Sequence, residues 1–409
     1  MSAPREAGRV VIVGGGLAGY SAAERLRALG HDGPLTIVDP EPAAYDRPPL
    51  SKDLFSETFS LTRLSFANED ELAELRIDAL FGRAATALDP ETLAVTLDDG
   101  TVLPADTVLI ATGGRGRALR VPGADLPGVQ LLRTYDDAAA LRAGVRAGSR
   151  VVVVGAGLIG AELASALHAT GATVTLVDPV EVPLAPAVGE ILARRLHDMH
   201  AARGIEVVVG VTAAIEADVD GLSVVLDDGG RHPADLVVVG IGIVPETGLA
   251  ESAGIEVDGG IVVTPRHETS APGVYAAGDV ARLRDDDGTL HRREEHWEAA
   301  QLGGQHAACA ILGLEPPERG ASWFWSDRHG VHLEATGRLT GPGEIVVREG
   351  GEHPAVFLVE DGMLAGAAAV DDNNTVRAAR RLIDRRVPVT PRELADPGVS
   401  LRTLLRAAR

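Results

Sequence analysis

The tightest constraint on this chain is a repeated grammar. The apolar run Val10 to Val13 leads into GGGLAG, then a helical pattern through Leu29, then the apolar run LTIVD ending at Asp39. The same order returns in RVVVVGAGLIGAELASALHATGATVTLVD, Arg150 to Asp178, its glycine turn beginning 141 residues after the first. Each stretch reads as strand, turn, helix, strand. A spacing of this size is too long for a solenoid period and points to two related α/β domains. Short strands in DTVLIATG (Asp106 to Gly113) and DLVVVGIGIVP (Asp235 to Pro245) follow each unit at a similar remove, so the two domains close the same way.

The glycines say what these units hold. Gly14, Gly16 and Gly19 form GxGxxG at a strand-to-helix turn, and Gly155, Gly157 and Gly160 repeat it. Such a turn lets backbone approach a pyrophosphate, which sits on the helix N-terminus, while an acid closing the next strand accepts from ribose hydroxyls. Asp39 and Asp178 stand in that place. Two dinucleotide sites imply two dinucleotides, of which the usual pair is FAD on the first site and a nicotinamide hydride donor on the second. No Arg or Lys lies between Asp178 and Arg194. A carboxylate without a neighbouring cation suits a free 2′-hydroxyl and repels a 2′-phosphate, which favours NADH.

The remainder of the chain narrows the reading. At 409 residues it exceeds one core, and a Pro-containing linker, LEPPERGAS, precedes the aromatic WFWSD. From Trp323 the alternating runs GEIVVREG and PAVFLVEDGMLAGAAAV read as antiparallel strands, and TVRAARRLIDRR as an amphipathic helix, giving a small α+β module. The expected organisation is an α/β chain of two Rossmann-like domains plus this module: residues 1–114 with 246–322, residues 115–245, and residues 323–409. The net charge is −21, all of it before residue 323, because the last module carries 12 basic and 12 acidic residues. This argues against nonspecific binding to nucleic acid or to an anionic membrane. Cys309 is the only cysteine, so the chain has no internal disulfide, no CxxC pair and too few thiolates for an iron–sulfur cluster of its own. His329 and His332 lack a supporting Cys or acidic cluster, so no metal is expected. The first residues, MSAPREAGR, do not read as a signal segment, and a cytoplasmic protein is expected.

On these residues the chain resembles the FAD-dependent, NADH-linked ferredoxin reductases of bacterial oxygenase and cytochrome P450 systems. The motifs that carry the resemblance are GGGLAG, YDRPPLSK, ATGGR, VVVVGAGLIGAELA, GIGIVPETGLAESAGI, VYAAGDVA and WFWSD. It implies that Ala18 and Asp39 hold the FAD phosphates and ribose and that Asp279 reaches the ribityl chain and pyrophosphate. Arg47, Ala85, Ala111, Thr112, Gly113, Arg133 and Trp297 match further positions around the flavin. Glu162 and Gly242 join the second glycine turn and Asp178 at the NADH site. The implied partner is a [2Fe–2S] ferredoxin serving a P450 or a Rieske oxygenase. Two departures stand out: Pro186, where many members carry an arginine, and RHGVHLEATG after WFWSD, where a Gln-led segment is common.

The resemblance also gives meaning to Lys52, the only lysine among 38 basic residues. It matches a lysine beside the isoalloxazine, with Glu162 as its carboxylate partner. A compact, partly desolvated ammonium there would stabilise negative charge developing on the flavin, in a slot that a planar guanidinium would not fit. Two alternatives stay open. A peroxide, oxygen or rubredoxin reductase of the same superfamily is one, although a disulfide or peroxide mechanism needs a redox cysteine beside the flavin. The other is a non-enzymatic FAD- and NADH-binding protein resembling apoptosis-inducing factor.

Overall fold

The computed structural model describes residues 5–407. Contacts group the chain into two compact units. The first takes residues through Pro48, Thr58–Arg115 and Ile243–Arg319; the second takes Pro49–Glu57, Gly116–Gly242 and Gly320 onward.

The first unit is organised by a five-stranded parallel sheet, in the edge-to-edge order Val274–Ala276, Thr107–Ile110, Val10–Val13, Leu35–Asp39, Asp78–Phe81. Val10–Val13 is buried at every position, as a strand covered on both faces must be. The glycine-turn helix Leu17–Ala28 lies on one face with Trp297–Ile311 beyond it, and Ile12, Ala22, Leu26, Ile37, Leu109, Ala307 and Ile311 fill the layer. Each fully buried Leu or Ile there stabilises by about 1.5–3 kcal/mol relative to exposure.

The second unit repeats the plan with Glu206–Val209, Thr173–Asp178, Arg150–Val154, Leu236–Val239 and Val129–Leu131, again all parallel. In both sheets the strand before the glycine turn is central, and the acid-ended strand is its neighbour. In both, a three-stranded antiparallel sheet is inserted before the closing strand: Ala85–Leu88, Val95–Leu97 and Val102–Leu103 in one, Thr212–Asp218, Gly221–Leu226 and Arg231–Ala234 in the other. The outer strand beside the closing strand differs in origin, coming from late in the chain in the first sheet and from before the glycine turn in the second.

Also in the second unit is an antiparallel sheet in the order Trp323–Arg328, Val331–Gly337, Met363–Val370, Ala355–Glu360, Glu344–Arg348. The helix Asn373–Asp384 packs on it through Val376, Ala379 and Leu382, against Phe357 and Ala367. Two short helices, Pro391–Ala395 and Leu401–Ala407, complete it and were not expected. The contact borders fall at 115/116, 242/243 and 319/320, against expected borders at 114/115, 245/246 and 322/323. Residues 49–57, expected in the first domain, group with the second unit. The cause is polar: Arg142 Nη1 donates to the carbonyls of Leu54 (2.8 Å) and Ser56 (2.6 Å), while Ser51 and Lys52 bond to Glu162.

Candidate functional site: two dinucleotide cradles and a buried charge cluster

The two glycine turns are built alike. Gly14 and Gly155 have φ of +112° and +104°, and a Cβ on either would overlap a neighbouring strand's backbone, at Ala111 and Gly240 respectively. A Cβ on Gly19 or Gly160 would overlap the carbonyl oxygen of Gly14 or Gly155, so the helix can start this close to the turn only without one. Gly16 and Gly157 differ: nothing lies within 4 Å of the position a Cβ would take. Both are N-caps, neither helix end is capped by a side chain, and neither has an acid in its first turn. Each turn thus presents open space and backbone N–H groups that no side chain among the described residues caps, at a helix N-terminus, the feature that fits a pyrophosphate.

The acids complete both cradles. Asp39 Oδ2 accepts from the Gly15 N–H (2.5 Å) and Oδ1 from the Glu41 N–H (2.8 Å). Asp178 accepts likewise from Ala156 (2.7 Å) and Val180 (2.8 Å). Each carboxylate is aimed by its own turn and keeps lone pairs for a ribose. Burial pushes the Asp39 carboxyl up, while the Glu41 and Gly15 donors and the Arg47 charge pull it down.

The structure gathers most of the other candidates of the first unit around its turn. Ala18 is buried, and a Cβ on Gly278 would meet its side chain, so the Gly278–Val280 turn that carries Asp279 lies against the glycine turn. Ala111 donates its N–H to the Val13 carbonyl (2.7 Å), and Thr112 Oγ1 donates to the Glu246 carbonyl (2.7 Å), with Gly113 next to it. Trp297 Nε1 donates to Asp46 Oδ1 (2.9 Å), tying the start of its helix to the segment of Tyr45 and Arg47, whose guanidinium lies 5.2 Å from the Tyr45 ring centre. Ala85 starts its inserted sheet, one residue after Ala84, whose carbonyl accepts from Asp98. Arg133 lies in the second unit at the start of the helix Tyr135–Gly144, its backbone N–H bonded to Asp137 (2.9 Å). Gly242, also there, has φ of +95° with open space at its Cβ position.

In the second unit Lys52 and Glu162 form an ion pair, with side chains 13% and 5% exposed. Glu162 takes two further hydrogen bonds, from Ser51 Oγ (2.6 Å) and Ser326 Oγ (2.6 Å). Lys52 Nζ also lies 3.5 Å from Asp327 Oδ2 and 5.8 Å from the centre of the Trp325 ring. Behind Ser326 stands Arg328, 3% exposed, its Nη2 donating to Ser326 Oγ (2.9 Å). Burial lowers the Arg328 guanidinium to about 10, and the charges of Glu162 and Asp327 oppose that. Ser51, Ser326, Asp327 and Arg328 were not singled out from the sequence. Three of them sit inside motifs already marked, PLSK and WFWSD, and Arg328 is the first residue of the segment that departs from the family pattern.

The two histidines of that segment also find partners. His329, at φ +54° in the turn of the hairpin, places Nε2 2.8 Å from His200 Nδ1 and donates its backbone N–H to Ser165 Oγ (2.7 Å). His332 Nδ1 lies 2.6 Å from Asp327 Oδ1. Among the described residues no group of three or more His, Cys, Asp or Glu is placed to hold a metal. Arg194, distant in sequence from Asp178, folds back onto Glu181 (2.9 Å) and Glu190 (3.2 Å), so two carboxylates take up its charge.

Comparison with known proteins agrees with this geometry. Residues 8–304 match the family described as pyridine nucleotide-disulphide oxidoreductase, and residues 323–405 match the reductase C-terminal domain. The chain is 36% identical over 402 residues to the chlorobenzene dioxygenase ferredoxin reductase component of Cupriavidus sp. (strain PS12), covering 97% of this chain and 98% of that one. Two solved structures superpose on it with a TM-score of 0.92 at 31% identity. One is the reductase of the covalent putidaredoxin reductase–putidaredoxin complex, with 99% of each chain covered. The other is the ferredoxin reductase for the CYP199A2 system from Rhodopseudomonas palustris, with 97% of this chain and 99% of that one covered.

Proposed function

We propose how this chain works from one premise: it belongs to the pyridine nucleotide-disulphide oxidoreductase family and ends in a reductase C-terminal domain. It is a flavoprotein reductase that passes electrons from NADH through FAD to a [2Fe–2S] ferredoxin, which in turn serves a Rieske dioxygenase or a cytochrome P450. The observation that carries this reading is the pair of uncapped helix N-termini, each with an open glycine and a turn-aimed carboxylate. Bound FAD supplies the change from two-electron hydride chemistry to single-electron delivery.

The residues divide the work. The turn Gly14, Gly16, Ala18, Gly19, with Asp39, Ala111 to Gly113 and Asp279, holds FAD in the first unit, joined by Arg47, Ala85 and Trp297. Gly155, Gly157, Gly160, Asp178 and Gly242 hold NADH in the second. Lys52, aimed by Glu162, offers its ammonium to the negative charge of the reduced flavin, and Arg133 is a further flavin contact. The whole works in the cytoplasm. No helix among the described residues is long and apolar enough to cross a membrane.

NADH is expected to be preferred over NADPH by at least roughly tenfold, about 1.4 kcal/mol, because Asp178 would meet a 2′-phosphate with like charge and Arg194 is already engaged. Steady-state kcat/KM with each donor measures this, and equal values would show that Asp178 does not face the ribose.

An acidic ferredoxin needs a local positive face on a chain of charge −21. The helix Asn373–Asp384 and the turn after it supply Arg377, Arg381, Arg385 and Arg386, all exposed, with Arg380 half-buried beside them. The test of function is NADH-driven cytochrome c reduction with a panel of ferredoxins, which must depend on the ferredoxin added. With the best partner, charge reversal at Arg380 and Arg385 is expected to lower the rate severalfold and flatten its salt dependence, while direct ferricyanide reduction is unchanged. A fall in both activities would make these arginines structural.

A further inference from the structure

Lys52 and Glu162 suffice for an ion pair, yet the fold buries a second cation, Arg328, behind the same carboxylate. Burying a guanidinium is costly, and its Nε has no partner among the described residues. The surroundings do not reward it otherwise: burial pushes His197, His200 and His329 down, and the charge of Arg328 opposes the protonation of each. Its nearby anions are Glu162 and Asp327.

The chemistry of the linking hydroxyl supplies a reason. Ser326 Oγ has one proton and lies between Arg328 Nη2 (2.9 Å) and Glu162 Oε1 (2.6 Å). A guanidinium has five donors and no acceptor, so it can only donate to Ser326, and the hydroxyl proton must point at Glu162. A glutamine in the same place could accept that proton and turn the hydroxyl away. We propose that Arg328 is a positioning residue: through Ser326 it locks the Glu162 carboxylate in the orientation that holds Lys52. The hairpin tip adds the mechanical part, since His329 bonds to Ser165 on Glu162's own helix and to His200 on the neighbouring one. The effect on Lys52 follows from this geometry alone; its consequence for catalysis rests on the role given to Lys52 above.

The chain's single lysine makes the test direct. Protein grown on ε-13C-labelled lysine gives one side-chain resonance, that of Lys52. In R328Q the resonance is expected to move and broaden, and S326A, which removes the relay while leaving Arg328, is expected to do the same. In parallel, R328Q should slow flavin reduction by NADH roughly ten- to a hundredfold with KM for NADH unchanged, and R328K, again a pure donor, should restore most of it. An unchanged Lys52 resonance in R328Q and S326A overturns the proposal. A resonance that moves while flavin reduction keeps its wild-type rate supports the positioning role and instead removes the assignment of Lys52 to the flavin.

Discussion

Lys52→Met is expected to leave FAD bound and to slow its reduction by NADH about a hundredfold, the size seen when a preorganised donor to developing charge is removed. Lys52→Arg is expected to recover only part of that loss. The slot explains the difference: Nζ is a compact point charge held by Glu162, with Asp327 at 3.5 Å and the Trp325 ring at 5.8 Å. A planar guanidinium cannot take the same place without displacing one of them. Methionine keeps the stem's volume but leaves the buried Glu162 without its ammonium, so the thermal midpoint should fall, and the rates are compared at a temperature where the flavin spectrum shows both proteins folded, which separates a charge effect from a folding effect. Stopped-flow absorbance at the flavin band reads the rate. If both variants reduce as fast as wild type, Lys52 is a structural partner of Glu162 and nothing more.

The second large effect is on stability in acid. Burial pushes four imidazoles far down, His200 to about 2, His267 to about 3, and His306 and His329 to about 4, with neighbouring arginines adding to each. The local geometry agrees. Arg319 Nη2 lies 3.0 Å from His267 Nε2 and can only donate, so His267 carries its proton on Nδ1, donating to the Ala276 carbonyl at 2.9 Å. Above the ordinary value of 6.5 these groups are neutral in both states and pH does not matter. Below it the unfolded chain binds protons that the folded chain refuses. Stability therefore falls by about 1.4 kcal/mol per pH unit per histidine, from 6.5 down towards each folded value. For His200, His267 and His306, the buried ones of the four, that is about 2 kcal/mol each at pH 5, a large fraction of a typical domain's stability. His306→Leu should reduce the slope by about one proton. A thermal midpoint that is flat from pH 7 to 5 would show that these histidines charge without unfolding the chain.

What could be read from the residues alone was whatever short-range pattern encodes. Both strand–turn–helix–strand units were legible because β-branched runs, helical spacing and three glycines act within about thirty residues, and because the acid that closes the unit is only one helix and one strand along the chain from the turn it serves. The resemblance carried further, to Lys52 and Glu162, since RPPLSK and the second glycine turn are contiguous words in the chain.

What the tertiary structure decided lies where partners are far apart in sequence. Ser51 and Lys52 reach Glu162 across 111 and 110 residues, and Ser326 reaches it across 164. Residues 49–57 left the domain their position suggested for this reason. Arg194 is the first cation after Asp178 in the sequence, and only the fold turns it onto Glu181 and Glu190. Arg328 read as an unexplained departure from a family pattern, and only its burial behind Ser326 gives it a role. Periodicity reports which face of an element is apolar; it holds no record of which two buried charges will share a carboxylate, because that depends on how separately formed elements pack, and only the packed chain contains that distance.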